Sequence, residues 1–148
     1  MADTRSQKPI PVRDRLILAL DVPDSQTAMM TVDRLGDSVN FYKLGLELFM
    51  SGSYFDLVDW LTKQGKRVFC DLKFFDVPET VSRAVRQLGD KGVDFTTVHG
   101  NDPMLRAAVA EKNGLKILAV TVLTSLDKGD LEDLGFQCES SRVKVPDR

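Results

Sequence analysis

The chain has 148 residues, 43% of them hydrophobic and 28% charged, which is ordinary for one globular domain with a sizeable core. Its formal net charge of -2 and its lack of a Lys/Arg cluster argue against nucleic acid or an anionic membrane as a partner. No apolar run approaches the roughly 20 residues of a membrane span, and residues 1–14 do not resemble a secretory signal, so we expect a cytoplasmic protein.

Five short apolar runs alternate with stretches of helical periodicity, and such runs are typical of strands buried in a parallel sheet. A polar leader, residues 1–13, is expected to be flexible, and an atypical polar tail covers residues 139–148. The predicted domain lies between them, at 14–138. Its predicted strands are 16–21, 39–44, 67–73, 93–99 and 116–123, and its predicted helices are 27–35, 46–64 with a break or turn at Gly52, 78–88 and 103–112.

This alternation predicts crossover connections and a parallel sheet. The polar residues that end the strands lie at 21, 43, 71, 99 and 121, so consecutive strand ends are 22 or 28 residues apart. A (β/α)₈ barrel of roughly 250 residues uses about 30 residues per unit. The predicted fold class is therefore α/β, of the TIM (β/α)₈-barrel type, with only about five βα units in this chain. The sequence has neither a Gly-x-Gly-x-x-Gly motif nor a Walker loop, so nucleotide folds of those kinds have no support.

The end of the third predicted strand carries an unusual concentration of charge. Because side chains alternate along a strand, Asp71 and Lys73 should share one face and lie close enough to pair. Cys70 falls on the opposite, apolar face, where a buried thiol is expected, and Cys138 gives no reason to expect a metal site built on sulfur. Pro78 is suited to open the following helix.

The polar residues near the strand ends can also be interpreted as purely structural. An Asp-x-Lys pair at a strand end is often only an ion pair, and Asp21 could cap a helix or turn beside Pro23. Thr124 could likewise cap the next helix. Lys43 is harder to explain this way, because a buried ammonium needs an acidic partner. His99 is interpreted as structural and is left out of the catalytic set.

Taken together, five motifs resemble orotidine 5'-monophosphate decarboxylase of the bacterial type, over about residues 16–138. They are Leu18-Ala19-Leu20-Asp21, Tyr42-Lys43-Leu44-Gly45, Asp71-x-Lys73-x-x-Asp76-x-Pro78-x-Thr80, Val98-His99 and Val120-Thr121-x-Leu123-Thr124-Ser125. The resemblance implies a cofactor-free, metal-free homodimeric barrel enzyme. Its reaction would convert orotidine 5'-monophosphate to uridine 5'-monophosphate in pyrimidine biosynthesis.

The resemblance also implies a catalytic set. Lys73 would protonate the pyrimidine ring carbon as CO₂ leaves, and Asp71 would lie against the substrate carboxylate. Lys43 and Asp76 would complete an alternating charge network. This agrees with the chemistry, because loss of CO₂ leaves a localised carbanion that an ammonium group can both stabilise and protonate.

Substrate-binding roles are implied for four residues. Asp21 would bind the ribose and Thr124 the pyrimidine, and Lys43 would also be a substrate-binding residue. Thr80, like Asp76, would reach into the active site of the partner subunit. The position before Asp76 is commonly His in this family and is Phe75 here, a departure at a position with no implied catalytic role.

The length of the chain leaves two alternatives to an active decarboxylase open. Five units cannot close an eight-stranded barrel, and the loops that usually hold a phosphate follow strands seven and eight. We therefore expect a truncated or frame-shifted chain, with two exposed strand edges that favour association. One alternative is a sugar-phosphate lyase or synthase of the same superfamily, which would use a divalent metal. The other is a catalytically inactive fragment.

Overall fold

A computed structural model of the protein describes residues 10–136, which form a five-stranded parallel sheet flanked by helices. Each strand pairs with the next strand along the chain, so the order in the sheet is β1-β2-β3-β4-β5. The strands are β1 (Leu18–Ala19), β2 (Phe41–Leu44), β3 (Arg67–Phe74), β4 (Phe95–His99) and β5 (Lys116–Val120).

Six α-helices are found in the described part of the chain. They are α1 (Ser25–Leu35), α2 (Leu46–Met50), α3 (Tyr54–Lys63), α4 (Pro78–Gly89), α5 (Asp102–Ala110) and α6 (Lys128–Asp133). Two short 3-10 helices accompany them, at Val12–Asp14 and Gly36–Ser38. An unbroken consecutive strand order is that of a (β/α) barrel, whereas a doubly wound sheet reverses its order at a switch point. The predicted fold class, with five βα units of a TIM barrel, is confirmed.

The element boundaries differ from the predicted ones mainly at the sheet edges. β1 has two residues instead of the predicted six, because it pairs only with β2 and leaves Leu16 and Ile17 exposed. β5, at the other edge, ends at Val120 rather than at 123. The predicted break at Gly52 is confirmed: this glycine has a φ of 89° and separates α2 from α3.

Helix α6 was not predicted from the sequence. It is six residues long, and its start is fixed by a capping box in which Asp127 and Asp130 each accept a hydrogen bond from the other's backbone N–H. A single apolar side chain, Leu131, is buried from this helix. One buried residue in six creates no periodic pattern, which explains why the helix was missed.

The hydrophobic core lies between the sheet and the helices that cover its outer face. Helices contribute side chains at helical spacing, and alternate residues of the strands face them; examples are Leu57 and Leu61 of α3, Val85 of α4, and Val68 and Cys70 of β3. Cys70 is a free buried thiol, as predicted, and burial raises its pKa to about 12. Cys138 and the predicted tail lie outside the described residues, and the predicted domain boundaries stay predictions.

The opposite, inner face of the sheet carries aromatic side chains at its amino-terminal end. The rings of Phe41 and Phe69 lie 5.6 Å and 6.2 Å from the ring of Phe95, and the guanidinium of Arg67 lies 4.4 Å from the Phe41 ring. Arg67 also forms an ion pair of 2.7 Å with Asp94. This layer covers the amino-terminal end of the inner face, so charged side chains two residues further along the strands lie above a packed floor.

The Leu61→Ala variant tests the packing of α3 on the sheet. Leu61 is fully buried, so its truncation should lower the free energy of unfolding by about 2–5 kcal/mol. The matched control is Met30→Ala on α1, where the side chain is 58% exposed and a change within about 0.5 kcal/mol is expected. Urea unfolding followed by circular dichroism measures both. Equal effects of the two substitutions would contradict this packing.

Candidate active site

Four charged side chains form a connected network at the carboxyl ends of the first three strands. The carboxylate of Asp71 accepts a 2.9 Å hydrogen bond from the ammonium of Lys73, through its Oδ2 atom. The Lys43 ammonium lies 3.6 Å from the same Oδ2 and 3.2 Å from Oδ1 of Asp21. The order Asp21, Lys43, Asp71, Lys73 thus alternates in charge along the edge where barrel enzymes carry their active sites.

Asp71 is the most enclosed member of this network, with a side-chain exposure of 12%. Its second oxygen, Oδ1, accepts a 2.9 Å hydrogen bond from the hydroxyl of Thr97 on β4. Burial alone would raise the pKa of the Asp71 carboxyl. Hydrogen bonds from Lys73 and Thr97 and the charges of Lys73 and Lys43 outweigh burial, so the pKa lies below the usual value and the group is ionised.

The backbone of Lys73 departs from regular strand geometry. Its φ is 48°, on the left-handed side that non-glycine residues rarely occupy, and the register between β3 and β4 shifts between Cys70 and Phe74. The predicted proximity of Asp71 and Lys73 is confirmed, but simple alternation to the end of the strand is not the reason. The Lys73 backbone N–H donates a 2.9 Å hydrogen bond to the Thr97 hydroxyl, which holds this irregular turn.

Three other predicted site residues lie apart from the network. Asp76 is exposed, and its Oδ1 accepts a 2.7 Å hydrogen bond from the backbone N–H of Val77. Thr80 is half-buried in the first turn of α4, and Thr124 is exposed in a turn after β5. Within residues 10–136, no hydrogen bond or ion pair joins any of these three side chains to the four charged residues.

An open cavity of about 500 Å³ lies next to the Lys73 side chain. Most of its lining is apolar, with Leu72 and Leu123 among the contributing residues. Phe75 and His99 also line it, and their rings meet edge to face at 5.9 Å. An ammonium beside an apolar cavity suits a flat ring that develops negative charge at one carbon, because desolvation strengthens the attraction.

Thr97 was missed by the sequence analysis, although a signal was available. Thr97 shares its parity along β4 with Phe95, so both belong to the inner face. The pairing of Cys70 with Thr96 then places Thr97 beside Asp71. Parity alone does not predict the contact between Thr97 and Asp71. The register between β3 and β4 is also needed, and the sequence did not supply it.

Residues 10–136 contain no group of three or more His, Cys, Asp and Glu side chains that could hold a metal ion. Over the same range, none of the helices has both the length and the apolar character required to cross a bilayer.

Comparison with known proteins shows a consistent set of relatives. A family model described as "Orotidine 5'-phosphate decarboxylase / HUMPS family" matches residues 14–143. A curated orotidine 5'-phosphate decarboxylase from Methylococcus capsulatus is 66% identical over 139 residues, which cover 94% of this chain and 57% of that protein. The enzyme of that name from Stenotrophomonas maltophilia is 49% identical over 144 residues, covering 95% of this chain and 60% of that protein.

Solved structures show the same similarity. Orotidine 5'-phosphate decarboxylase from Lactobacillus acidophilus matches with a TM-score of 0.74 and 35% identity, over 85% of this chain and 60% of that one. The enzyme of that name from Pyrococcus horikoshii shares the fold with a TM-score of 0.67 at 24% identity, over 80% of this chain and 56% of that one. The chain thus spans less than two thirds of the length of these relatives.

The lowered pKa of Asp71 predicts a specific pH dependence of stability. A carboxyl with a native pKa below its unfolded value of about 3.9 contributes stability above that value, and loses it as the pH falls through the native pKa. Asp71→Asn should therefore lower the free energy of unfolding by about 2 kcal/mol at pH 7, and the difference from wild type should shrink toward pH 3.

Urea titrations at pH values from 7 to 3 measure this difference. Leu61→Ala is the control, because it replaces no ionisable group and should lower stability by a similar amount at each pH. A constant difference between wild type and Asp71→Asn across the range would contradict the ionised, paired state of Asp71.

Proposed function

The chain belongs to the orotidine 5'-phosphate decarboxylase / HUMPS family, and on this premise we propose that it converts orotidine 5'-monophosphate to uridine 5'-monophosphate in de novo pyrimidine biosynthesis. The observation that carries the proposal is the alternating network that ends at Lys73, beside an apolar cavity. The proposed location of the protein is the cytoplasm.

Lys73 is the proposed proton donor. The bond between the ring carbon and the carboxylate breaks, its electron pair stays on the ring carbon, and a proton from the Lys73 ammonium forms the new C–H bond. The products are CO₂ and uridine 5'-monophosphate, and the lysine regains its proton from solvent. The ammonium stabilises the developing negative charge before it gives up the proton, so one group supplies both effects. The proposed reaction requires no cofactor.

Asp71 has two proposed roles. It holds Lys73 in place through the 2.9 Å hydrogen bond, and its negative charge would lie beside the carboxylate of the bound substrate. Two like charges in a partly desolvated site raise the energy of the bound substrate, and departure of CO₂ relieves this repulsion. The ionised state of Asp71, favoured by its lowered pKa, is required for this effect.

Substrate positioning is proposed for residues around this centre. Asp21, with a side-chain exposure of 66%, is free to accept hydrogen bonds from the ribose hydroxyls, and Lys43 joins it to the reacting centre. Thr124 is the proposed pyrimidine ligand, in the turn that follows β5.

Two further residues are proposed to act across a homodimer interface. Asp76 and Thr80 follow Lys73 closely in the chain, and neither side chain contacts the charge network of its own subunit within residues 10–136. In a homodimer, the exposed carboxylate of Asp76 would instead lie next to the charged network of the second subunit. Symmetric dimers give each subunit the same exchange, so Asp76 and Thr80 would complete the partner's active site.

The Lys73→Ala variant tests the proposed activity. Loss of the donor and of the positive charge should reduce kcat for orotidine 5'-monophosphate by roughly 10²-fold to 10⁴-fold or more. Loss of the substrate's ultraviolet absorbance measures the rate. The matched control is Lys63→Ala, which removes an exposed ammonium at the end of α3 and should retain wild-type kcat.

The same assay separates the alternatives. Activity that is lost in EDTA and directed to a sugar phosphate, with no effect on orotidine 5'-monophosphate, would select a metal-dependent lyase or synthase. Absence of turnover in the wild-type chain, unchanged by Lys73→Ala, would select an inactive fragment.

A mixing experiment tests the proposed shared site. Asp76→Ala and Lys73→Ala should each be inactive alone, because each breaks every site in its own homodimer. After dissociation and random reassociation of equal amounts, half of the dimers are mixed and each holds one complete site. About one quarter of the wild-type activity should then return. A mixture as inactive as its components would contradict a site built from two subunits.

A further inference from the structure

The Thr97 hydroxyl joins the two residues to which the proposed function assigns the chemistry. Thr97 is 5% exposed, and its Oγ1 accepts a 2.9 Å hydrogen bond from the backbone N–H of Lys73. The same hydroxyl donates a 2.9 Å hydrogen bond to Oδ1 of Asp71. A hydroxyl has one proton, so accepting from an amide directs that proton toward the carboxylate.

The backbone hydrogen bond occurs where the strand pairing is interrupted. The register between β3 and β4 passes from the pair Cys70 and Thr96 directly to the pair Phe74 and Val98. Lys73 lies within this gap, and its N–H bonds to a side-chain oxygen instead of a strand carbonyl. Thr97 thereby fixes a backbone φ of 48° that Lys73 would not adopt in a regular strand.

The hydrogen bond from Thr97 to Asp71 gives the two oxygens of the carboxylate different partners. With Oδ1 occupied by the Thr97 hydroxyl, Oδ2 is the oxygen left to receive the Lys73 ammonium at 2.9 Å and to attract the Lys43 ammonium at 3.6 Å. One small side chain therefore orients the carboxylate and the proton donor together. It does so from a neighbouring strand, so both depend on the same β3–β4 register.

We propose that Thr97 is a positioning residue, which fixes the Lys73 backbone and the Asp71 carboxylate in the relative geometry that proton transfer requires. The proposal rests on the proposed function of Lys73, but the positioning itself is measurable without turnover. In the proposed reaction Thr97 contacts neither the ring carbon nor the leaving CO₂.

Nuclear magnetic resonance of the isotope-labelled full chain tests the positioning directly. In Thr97→Val, which keeps the shape and removes the hydroxyl, hydrogen exchange of the Lys73 amide should accelerate by roughly tenfold or more. The midpoint of the Asp71 carboxyl titration should move to higher pH, since a hydrogen bond to the ionised form is lost. Thr97→Ser should restore both observables toward wild type.

Thr96→Val provides the matched control on the same strand. Thr96 is also buried, but its hydroxyl donates to the backbone oxygen of Cys70 instead of to Asp71. This variant should lower the melting temperature and leave the Lys73 exchange and the Asp71 titration unchanged. If Thr97→Val failed to fold, Thr97→Cys, with a weaker donor of similar size, would serve in its place. Unchanged exchange and titration in the Thr97 variants, or equal changes in Thr96→Val, would overturn the proposal.

Enzyme kinetics supply a second measurement that separates this proposal from the proposed function. Thr97→Val should lower kcat roughly tenfold or more with little change in KM, and should move the acidic limb of the pH profile upward. A wild-type chain without turnover would refute the proposed function, while the magnetic resonance measurements would still decide the role of Thr97. An active wild type with unchanged kcat and pH profile in Thr97→Val would overturn the positioning role.

Discussion

The structure of the site depends on how one buried carboxylate is neutralised. Removing an ionised Asp from water is costly unless opposite charges and hydrogen-bond donors replace the lost water. Asp71 receives these from three strands: Lys43 on β2, Lys73 on its own strand β3, and Thr97 on β4. The same contacts that make its burial tolerable also fix the orientation of the ammonium group. The pairing of β2, β3 and β4 therefore also brings the site together.

Along the strands, the inner face of the sheet has a packed aromatic end and a charged end. The packed rings of Phe41, Phe69 and Phe95 occupy its amino-terminal end, and the charged network lies toward the carboxyl end. An apolar floor excludes water from one side of the charges and so strengthens their interaction. Strand β3 contributes to both ends of this face, Phe69 to the aromatic layer and Asp71 to the charged network.

Much of this arrangement could be predicted from the sequence because it follows from periodicity. In a (β/α) barrel the strands recur at regular intervals along the sequence. Residues at the carboxyl ends of parallel strands lie at the same edge of the sheet, which brings Asp21, Lys43 and Asp71 together. The short edge strand β1 and helix α6 were not predicted correctly, since pairing on one side and a capping box leave no periodic apolar signal. The role of Thr97 depends on the register between strands, a long-range property that one sequence does not contain.

The left-handed backbone of Lys73 has a consequence for how this sequence can change. A non-glycine residue in that region is strained by about 1–3 kcal/mol relative to the allowed alternatives. Glycine or asparagine would relieve that strain, but either would also remove the ammonium that pairs with the buried carboxylate of Asp71, so backbone strain and charge pairing oppose each other at this position. The charge pairing of the Lys73 side chain therefore offsets strain in the Lys73 backbone.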